Sequence, residues 1–443
     1  AASATDCLQR QRRDSFRASL RASLASAGTR SGDSELRSHP LLSSFGALLV
    51  AIAPFPAFAQ TATHAESHAV SVRDRPHPDY DPLGLRFGGF TVNGTLDLAV
   101  TSTDNLFAAS SSAQVDDIVY TETPTVRVAS DWSRHALAIE AGATLTQHQD
   151  FSGEDADSHY LRASGRLDVS HSASINGAVR VAHQVTPRTD PDSPLIGAPV
   201  EYDRVDASLG VEQQFTRLKV SAGGGRSTYR YDGSQSFRDN DEDQFRGRLD
   251  WEVSPRLGLV VQASADKRDY GNTPGLSSDA RTYLAGATFN TDLLHGELLV
   301  GHFERDFDSP LVETLDGLAV AGNLEWFVTD LTTLSFNARR DSDAQISATV
   351  GSPFLTTEYG VRADHELLRN LILTGEYQWG RREYASLDRT DDFTQIGVGA
   401  DYLLNRRVAL RLRYDHYEDN SSGTMAYHDY KVNAATVGVS LRL

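Results

Sequence analysis

Arginines alternate with apolar residues through the last part of the chain. Val408, Leu410, Leu412 and Tyr414 take every second position, with Arg411, Arg413 and Asp415 between them. Val437, Val439, Leu441 and Leu443 alternate in the same way with Thr436, Gly438, Ser440 and Arg442. A period of two puts the charges on one face of a β-strand and the apolar side chains on the other. Guanidinium forks match carboxylate geometry, so a row of them can bind acidic solutes or brace a wall by pairing with acids. Arg162, Arg166, Arg180, Arg204, Arg246, Arg248, Arg339, Arg362, Glu376, Arg411 and Arg413 all fall on such polar faces, and form the candidate pore lining. Asp168, Asp206, Glu212, Asp250, Glu252, Glu325 and Asp364 stand among them. A soluble core would not hold so many charges. A water-filled lumen would.

The elements that position these residues follow from punctuation. Short polar turns recur at Ser133-Arg134, Ser170-His171, Thr216-Arg217, Ser254-Pro-Arg256, Leu294-His295, Thr329-Asp330, Arg369-Asn370 and Asn405-Arg406. Longer hydrophilic stretches lie midway between turns, as at 186–199, 232–243, 270–279 and 419–426. Each half-period is one strand. The spacing predicts strands near 87–101, 117–132, 136–149, 159–169, 174–186, 201–215, 218–231, 242–253, 257–269, 280–291, 296–306, 314–328, 331–342, 355–367, 371–384, 392–403, 408–418 and 428–443. The fold class is therefore all-β: a transmembrane up-and-down antiparallel β-barrel of about 18 strands (16–18), with short periplasmic turns and longer extracellular loops. Barrels of that size leave an aqueous channel.

The start of the chain has a different character. Leu48-Leu-Val-Ala-Ile-Ala53 is an apolar core and Ala57-Phe-Ala59 a small-residue cleavage site, with Arg30 and Arg37 upstream. Residues 1–59 read as presequence and signal peptide, 60–83 as a disordered periplasmic segment, and 84–443 as the barrel. The only cysteine, Cys7, lies in the presequence, so the mature chain has no disulfide or thiolate chemistry. The formal net charge is −18; removing the 7 basic and 4 acidic residues up to Ala59 from totals of 42 and 60 leaves −21. A surface that acidic opposes nucleic-acid binding.

No nucleophile elbow, zinc-protease or phosphate-loop motif stands at a usable position. The expectation is no enzyme, no catalytic residue, no cofactor and no metal site. Asp239-Asn-Asp-Glu-Asp243 is an acidic loop without the spacing of a calcium loop. Aromatics cluster in two groups. Trp132, Phe215, Trp251, Trp326 and Phe327 lie near short turns. Tyr120, Tyr160, Tyr202, Tyr231, Tyr270, Tyr384, Phe393 and Tyr417 lie where strands meet long loops. Together they are read as the two interfacial girdles of a membrane barrel.

Two N-terminal segments carry a family resemblance: Gly84, Leu85, Arg86, Gly88 and Phe90 of the opening strand, followed by Asp104-Asn-Leu-Phe107, and then the turn Asp131-Trp-Ser-Arg-His135. They resemble the putative beta-barrel porin type 2 family of proteobacterial outer-membrane proteins, over about 84–443. The last residue, Leu443, departs from the aromatic usual at that position. The resemblance implies a bacterial outer-membrane location and a porin-like channel for hydrophilic solutes. It also implies export of exopolysaccharide as a cargo class in some members. The partners implied are outer-membrane lipid and lipopolysaccharide, the barrel assembly machinery and a polysaccharide. The competing reading is a non-conducting structural or adhesion barrel. The orientation gives a first prediction: tags inserted within 232–241 or 419–426 label on intact cells, and tags at 369–370 do not. The opposite labelling pattern would reverse the topology.

Overall fold

The computed structural model describes residues 70–190, 193, 197–346 and 352–443. The expected signal peptide, Cys7 and the first part of the expected periplasmic segment lie outside the described residues. The strands are β1 (Leu85–Phe87), β2 (Phe90–Thr103), β3 (Asp117–Ser130), β4 (Ala136–His148), β5 (Ala156–Asp168), β6 (Ala173–Thr186), β7 (Val200–Gln214), β8 (Leu218–Tyr231), β9 (Asn240–Ser254) and β10 (Leu257–Tyr270). They continue as β11 (Ser278–Asn290), β12 (Leu294–Phe307), β13 (Leu315–Thr329), β14 (Thr332–Ile346), β15 (Pro353–Leu368), β16 (Leu371–Tyr384), β17 (Thr390–Asn405), β18 (Val408–Ser422) and β19 (Tyr430–Arg442).

Each strand from β2 to β19 pairs antiparallel with its sequence neighbour, and β19 pairs with β2 from Ala434↔Thr103 to Arg442↔Thr95. The result is a closed 18-stranded barrel, as the turn spacing predicted. The stub β1 continues the same edge of β2 (Leu85↔Val92 to Phe87↔Phe90), beyond the point where β19 ends. Leu443 N–H donates to the Gly94 carbonyl at the junction. Closure leaves no open sheet edge, which lipid would not tolerate.

Alternation sorts the side chains. Leu410, Leu412 and Tyr414 are exposed on the outer wall, while Arg411, Arg413 and Asp415 are half-buried inside. Leu161, Leu167, Val179, Val181, Val205, Leu209, Phe245, Leu249, Val261 and Val398 extend the outer apolar belt around the barrel. Strands β2 to β19 are 13 to 16 residues long, more than the roughly 9–11 needed to cross the hydrocarbon. The surplus rises at the long-loop end, where the outer face turns polar. There Arg226 pairs with Asp241 (2.9 Å) and Asp243 (3.2 Å), and Arg230 with Asp241 (2.8 Å). The acidic run expected as a loop is thus split by strand β9. Asp241 and Asp243 face out, and Glu242 faces in, paired with Arg268 at 3.2 Å.

The girdle expectation holds at one end only. Trp132, Phe215, Trp251 and Trp326 are exposed outward near the short turns; Phe327 is buried on the inner side. At the long-loop end Tyr120 is exposed, but Tyr270, Tyr384, Phe393 and Tyr417 are buried inside the barrel. Tyr160, Tyr202 and Tyr231 are half-buried on the inner face. These inner rings stack under arginines instead: Arg382 over Phe393 (4.3 Å), Arg389 over Tyr384 (4.5 Å) and Arg238 over Tyr231 (4.3 Å).

Leu412 is 56% exposed in the belt. Leu412→Arg is expected to cost about 2–4 kcal/mol of barrel stability, by placing charge against lipid. The urea midpoint of heat-modifiable gel migration reports it, and an unchanged midpoint would take position 412 out of the hydrocarbon.

Candidate transport pathway

The lumen is shaped by two inserts. The first is the end of the β14–β15 hairpin. β14 pairs with β13 only between Arg340 and Thr332, while Asp341 and the residues after it pair with β15 alone. Freed from the wall, this end turns inward. Leu355, on the outward parity of β15, packs in one buried cluster with Val260, Leu284, Leu299, Phe303 and Ala319 of the inner wall. Arg305 Nε donates to Ser342 Oγ at 3.2 Å, and both Oδ atoms of Asp266 hold the same guanidinium at 3.0 Å. β10 to β13 therefore depart from the expected polar lining. Their inner face carries an apolar patch, Val260, Leu284, Leu299, Phe303 and Ala319, which the hairpin covers, set among the charged Asp266, Arg268, Glu297 and Arg305.

The second insert is Val70–Leu83, part of the stretch expected to be disordered. It lies against the inner wall at the short-turn end. Val72 is fully buried and its N–H donates to Thr333 Oγ1 at 3.0 Å. Arg73 pairs with Asp364 (2.9 Å) and donates to Thr374 (3.1 Å). Arg75 pairs with Glu366 at 2.9 Å, and Arg406 Nη2 holds the Pro78 carbonyl at 2.7 Å. The physical reason is charge: Arg73 joins Arg362 on the inward carboxylate of Asp364, and Arg75 answers that of Glu366, both near the end of β15.

At the long-loop end the loops close inward as well. Arg188 grips Glu154 with two bonds of 2.8 and 2.6 Å, and Tyr430 of β19 donates to the Thr189 carbonyl across the mouth (3.2 Å). Gly423 turns the β18–β19 loop with φ +106°, a conformation side chains resist. Next to it the Thr424 N–H donates to the Asp388 carboxylate at 3.0 Å, and this bond holds the carboxyl below the usual aspartate range.

Each residue expected to line a pore lies on the inward face of its strand, and most are bound into networks. Arg411 reaches Asp401 (3.1 Å) and Asp97 (3.3 Å). Arg413 holds Glu376 (2.5 Å) and Asp415 (2.7 Å), Glu376 also meets Arg362 (3.1 Å), and Arg362 meets Asp364 (2.8 Å). Through Arg73 this chain of charges joins the N-terminal insert to the wall. Arg248 bridges Asp250 (2.7 Å) and Glu297 (2.6 Å); Arg204 holds Asp206 (2.8 Å) and Arg166 holds Asp168 (2.7 Å). Arg246 and Arg339 face inward and are engaged by neighbours. Arg162 and Arg180 stand opposite each other on β5 and β6. Sequence reasoning missed both inserts. Their signal was present in Leu298-Leu299-Val300, apolar on both faces, and in Arg73 and Arg75 of a segment otherwise read as linker.

A closed barrel with an apolar belt outside and hydrated charge inside is an outer-membrane porin-like channel. The chain belongs to the putative beta-barrel porin 2 family, whose model matches residues 77–443. That family places it in the bacterial outer membrane. No curated protein matches it. Among solved structures it is similar to OccK2 (OpdF) of Pseudomonas aeruginosa, with 11% identity, a TM-score of 0.49 and coverage of 80% of this chain and 98% of that one. It is also similar to the outer membrane protein OpdK of Pseudomonas aeruginosa, with 12% identity, 0.45, 80% and 99%. A third is a BenF-like porin from Pseudomonas fluorescens Pf-5, with 11%, 0.44, 80% and 99%.

Arg73→Ala with Arg75→Ala is expected to undock the N-terminal insert, since each charged hydrogen bond lost removes about 1.5–3 kcal/mol. Single-channel conductance should rise. Identical conductance with and without the two arginines would show that the segment does not narrow the path.

Proposed function

We propose that the chain is a passive outer-membrane channel for small hydrophilic solutes, lined by the eleven charged residues named above. The observation that carries this reading is the inner wall of β4 to β9. Arg162, Arg166, Arg180, Arg204, Arg246 and Arg248 are all half-buried or better on the inner side, level with an outer belt of Leu, Val and Phe. Such a wall needs water or paired acids beside it, and Arg162 and Arg180 have no acid within ion-pairing distance among the described residues. Among the described residues neither insert makes a hydrogen bond or ion pair with the inner face of β4 to β6. Solutes would therefore pass along this side, between the hairpin and the arginines. On the outer face, the Arg226 and Arg230 ion pairs sit where lipopolysaccharide head groups would lie, and we take lipopolysaccharide as the surrounding partner.

Export of exopolysaccharide, implied by the first resemblance, has no support from the comparisons, and two inserts plus an inward loop argue against passage of a thick polymer. The competing reading is a sealed structural barrel. It is favoured by one set of contacts, the Tyr430–Thr189 and Arg188–Glu154 bonds across the mouth.

Planar-bilayer recording separates the two. The refolded barrel should give stable, modest conductance in potassium chloride, and Arg411→Glu with Arg413→Glu should shift the reversal potential toward cations. A barrel that folds but never conducts, even after deletion of 60–82, would leave the structural reading in place.

A further inference from the structure

Cross-strand register sets two arginines against each other on the inner wall. Arg162 of β5 and Arg180 of β6 are directly opposed. Like charges so placed destabilise a sheet. Elsewhere in the lumen Arg166, Arg204, Arg248, Arg362, Arg411 and Arg413 each hold a carboxylate within 3.3 Å. Here the two nearest acids are already committed. Glu140, opposite Arg162, accepts from Arg127 (3.3 Å) and from the Tyr160 hydroxyl (2.7 Å). Asp206, opposite Arg180, accepts from Arg204 Nε (2.8 Å) and the Ser227 hydroxyl (2.7 Å). Among the described residues no carboxylate lies within ion-pairing distance of Arg162 or Arg180. Four arginines thus share two acids, and two positive charges are left over.

The surplus sits at a telling height. Leu161, Val179 and Val181, their outer-face neighbours, belong to the apolar belt. At that depth the lumen is the only source of water or of counter-charge. Both arginines are half-buried, so their heads are reachable from it. The Tyr160 ring lies 5.3 Å from the Arg180 guanidinium, holding it against the wall and offering an aromatic face next to the charge.

We propose that Arg162 and Arg180 form a binding station for small carboxylated solutes, one carboxylate bridging the two forks with its carbon skeleton toward Tyr160. The role in transport rests on the channel reading; the binding itself does not. The missing counter-charge is then the solute, which explains how two opposed arginines can stand without an acid between them.

The test is equilibrium binding to the full chain refolded in detergent at low salt, with gluconate as the probe and its neutral counterpart glucitol as control. Gluconate should bind about tenfold more tightly than glucitol, the value of one charge-assisted bond, and should raise the unfolding temperature. Arg162→Gln with Arg180→Gln should abolish that preference while unfolding no earlier than the wild type, because the repulsion is gone. Arg162→Lys with Arg180→Lys should keep part of it. Equal binding of gluconate and glucitol by the wild type, or a preference that survives the double glutamine variant, would overturn the proposal. If the double variant does not fold, Arg180→Ala alone decides on the same criterion. A barrel that binds gluconate through this pair but passes no current would sink the channel reading and leave the site standing.

Discussion

Closure of the backbone hydrogen-bond ladder is the constraint on which everything else depends. In hydrocarbon an unpaired N–H or C=O has no water to turn to. The β19–β2 pairing removes the last two edges, and β1 covers the part of β2 that β19 does not reach. Once the cylinder is shut, side chains have two solvents and one rule: alternate residues face lipid, and the rest face whatever fills the lumen. The arginines of β18 are inside because Leu410, Leu412 and Tyr414 must be outside.

Charge then sets the interior. A guanidinium at mid-depth is costly to desolvate unless it is paired or wet. Most of the lumenal arginines solve this by pairing, some with an acid two residues along the same strand, as Arg204 with Asp206, and some between strands, as Arg411 with Asp97 and Arg413 with Glu376. Such links brace the wall without filling it. The inserts use the same chemistry at one end and its opposite at the other. Arg73 and Arg75 dock by charge onto Asp364 and Glu366. The β14–β15 hairpin docks by apolar contact onto Leu284, Leu299 and Phe303, where the wall carries few charges to satisfy.

Much of this was legible in the sequence, for reasons that also mark where reading stops. A two-residue period and regular turns are local signals, so β16 was expected at 371–384 and lies at Leu371–Tyr384; β8 agrees as well. The faces of Arg411, Arg413 and Glu376 followed from the same period. Partners two residues along the same strand, such as Asp206 for Arg204 and Asp415 for Arg413, share that period; partners on other strands, such as Asp97 for Arg411, could not be read, because they depend on register between strands. The inner aromatics show a different failure. Tyr417 shares parity with Arg411 and Arg413, and Tyr384 with Arg382, so period alone put them inside. They were assigned to the membrane interface by height, and height lost to parity. The inward hairpin was invisible for a third reason: alternation persists whether a strand stays in the wall or leaves it.

These rules together explain the asymmetry of the lumen. The hairpin needs an apolar seat and takes β10 to β13. The N-terminal segment needs acids and takes the ends of β15 and β16. The loop carrying Thr189 reaches toward β19. Among the described residues neither insert bonds to the inner wall of β4 to β6, and there Arg162 and Arg180 face each other with no carboxylate within ion-pairing distance. A wall lined against protein must be neutralised by protein, since no other counter-charge can enter. A wall lined against water need not be, because ions and solutes supply the balance. On the channel reading, the charges of Arg162 and Arg180 therefore mark the side of the lumen left to water and solute.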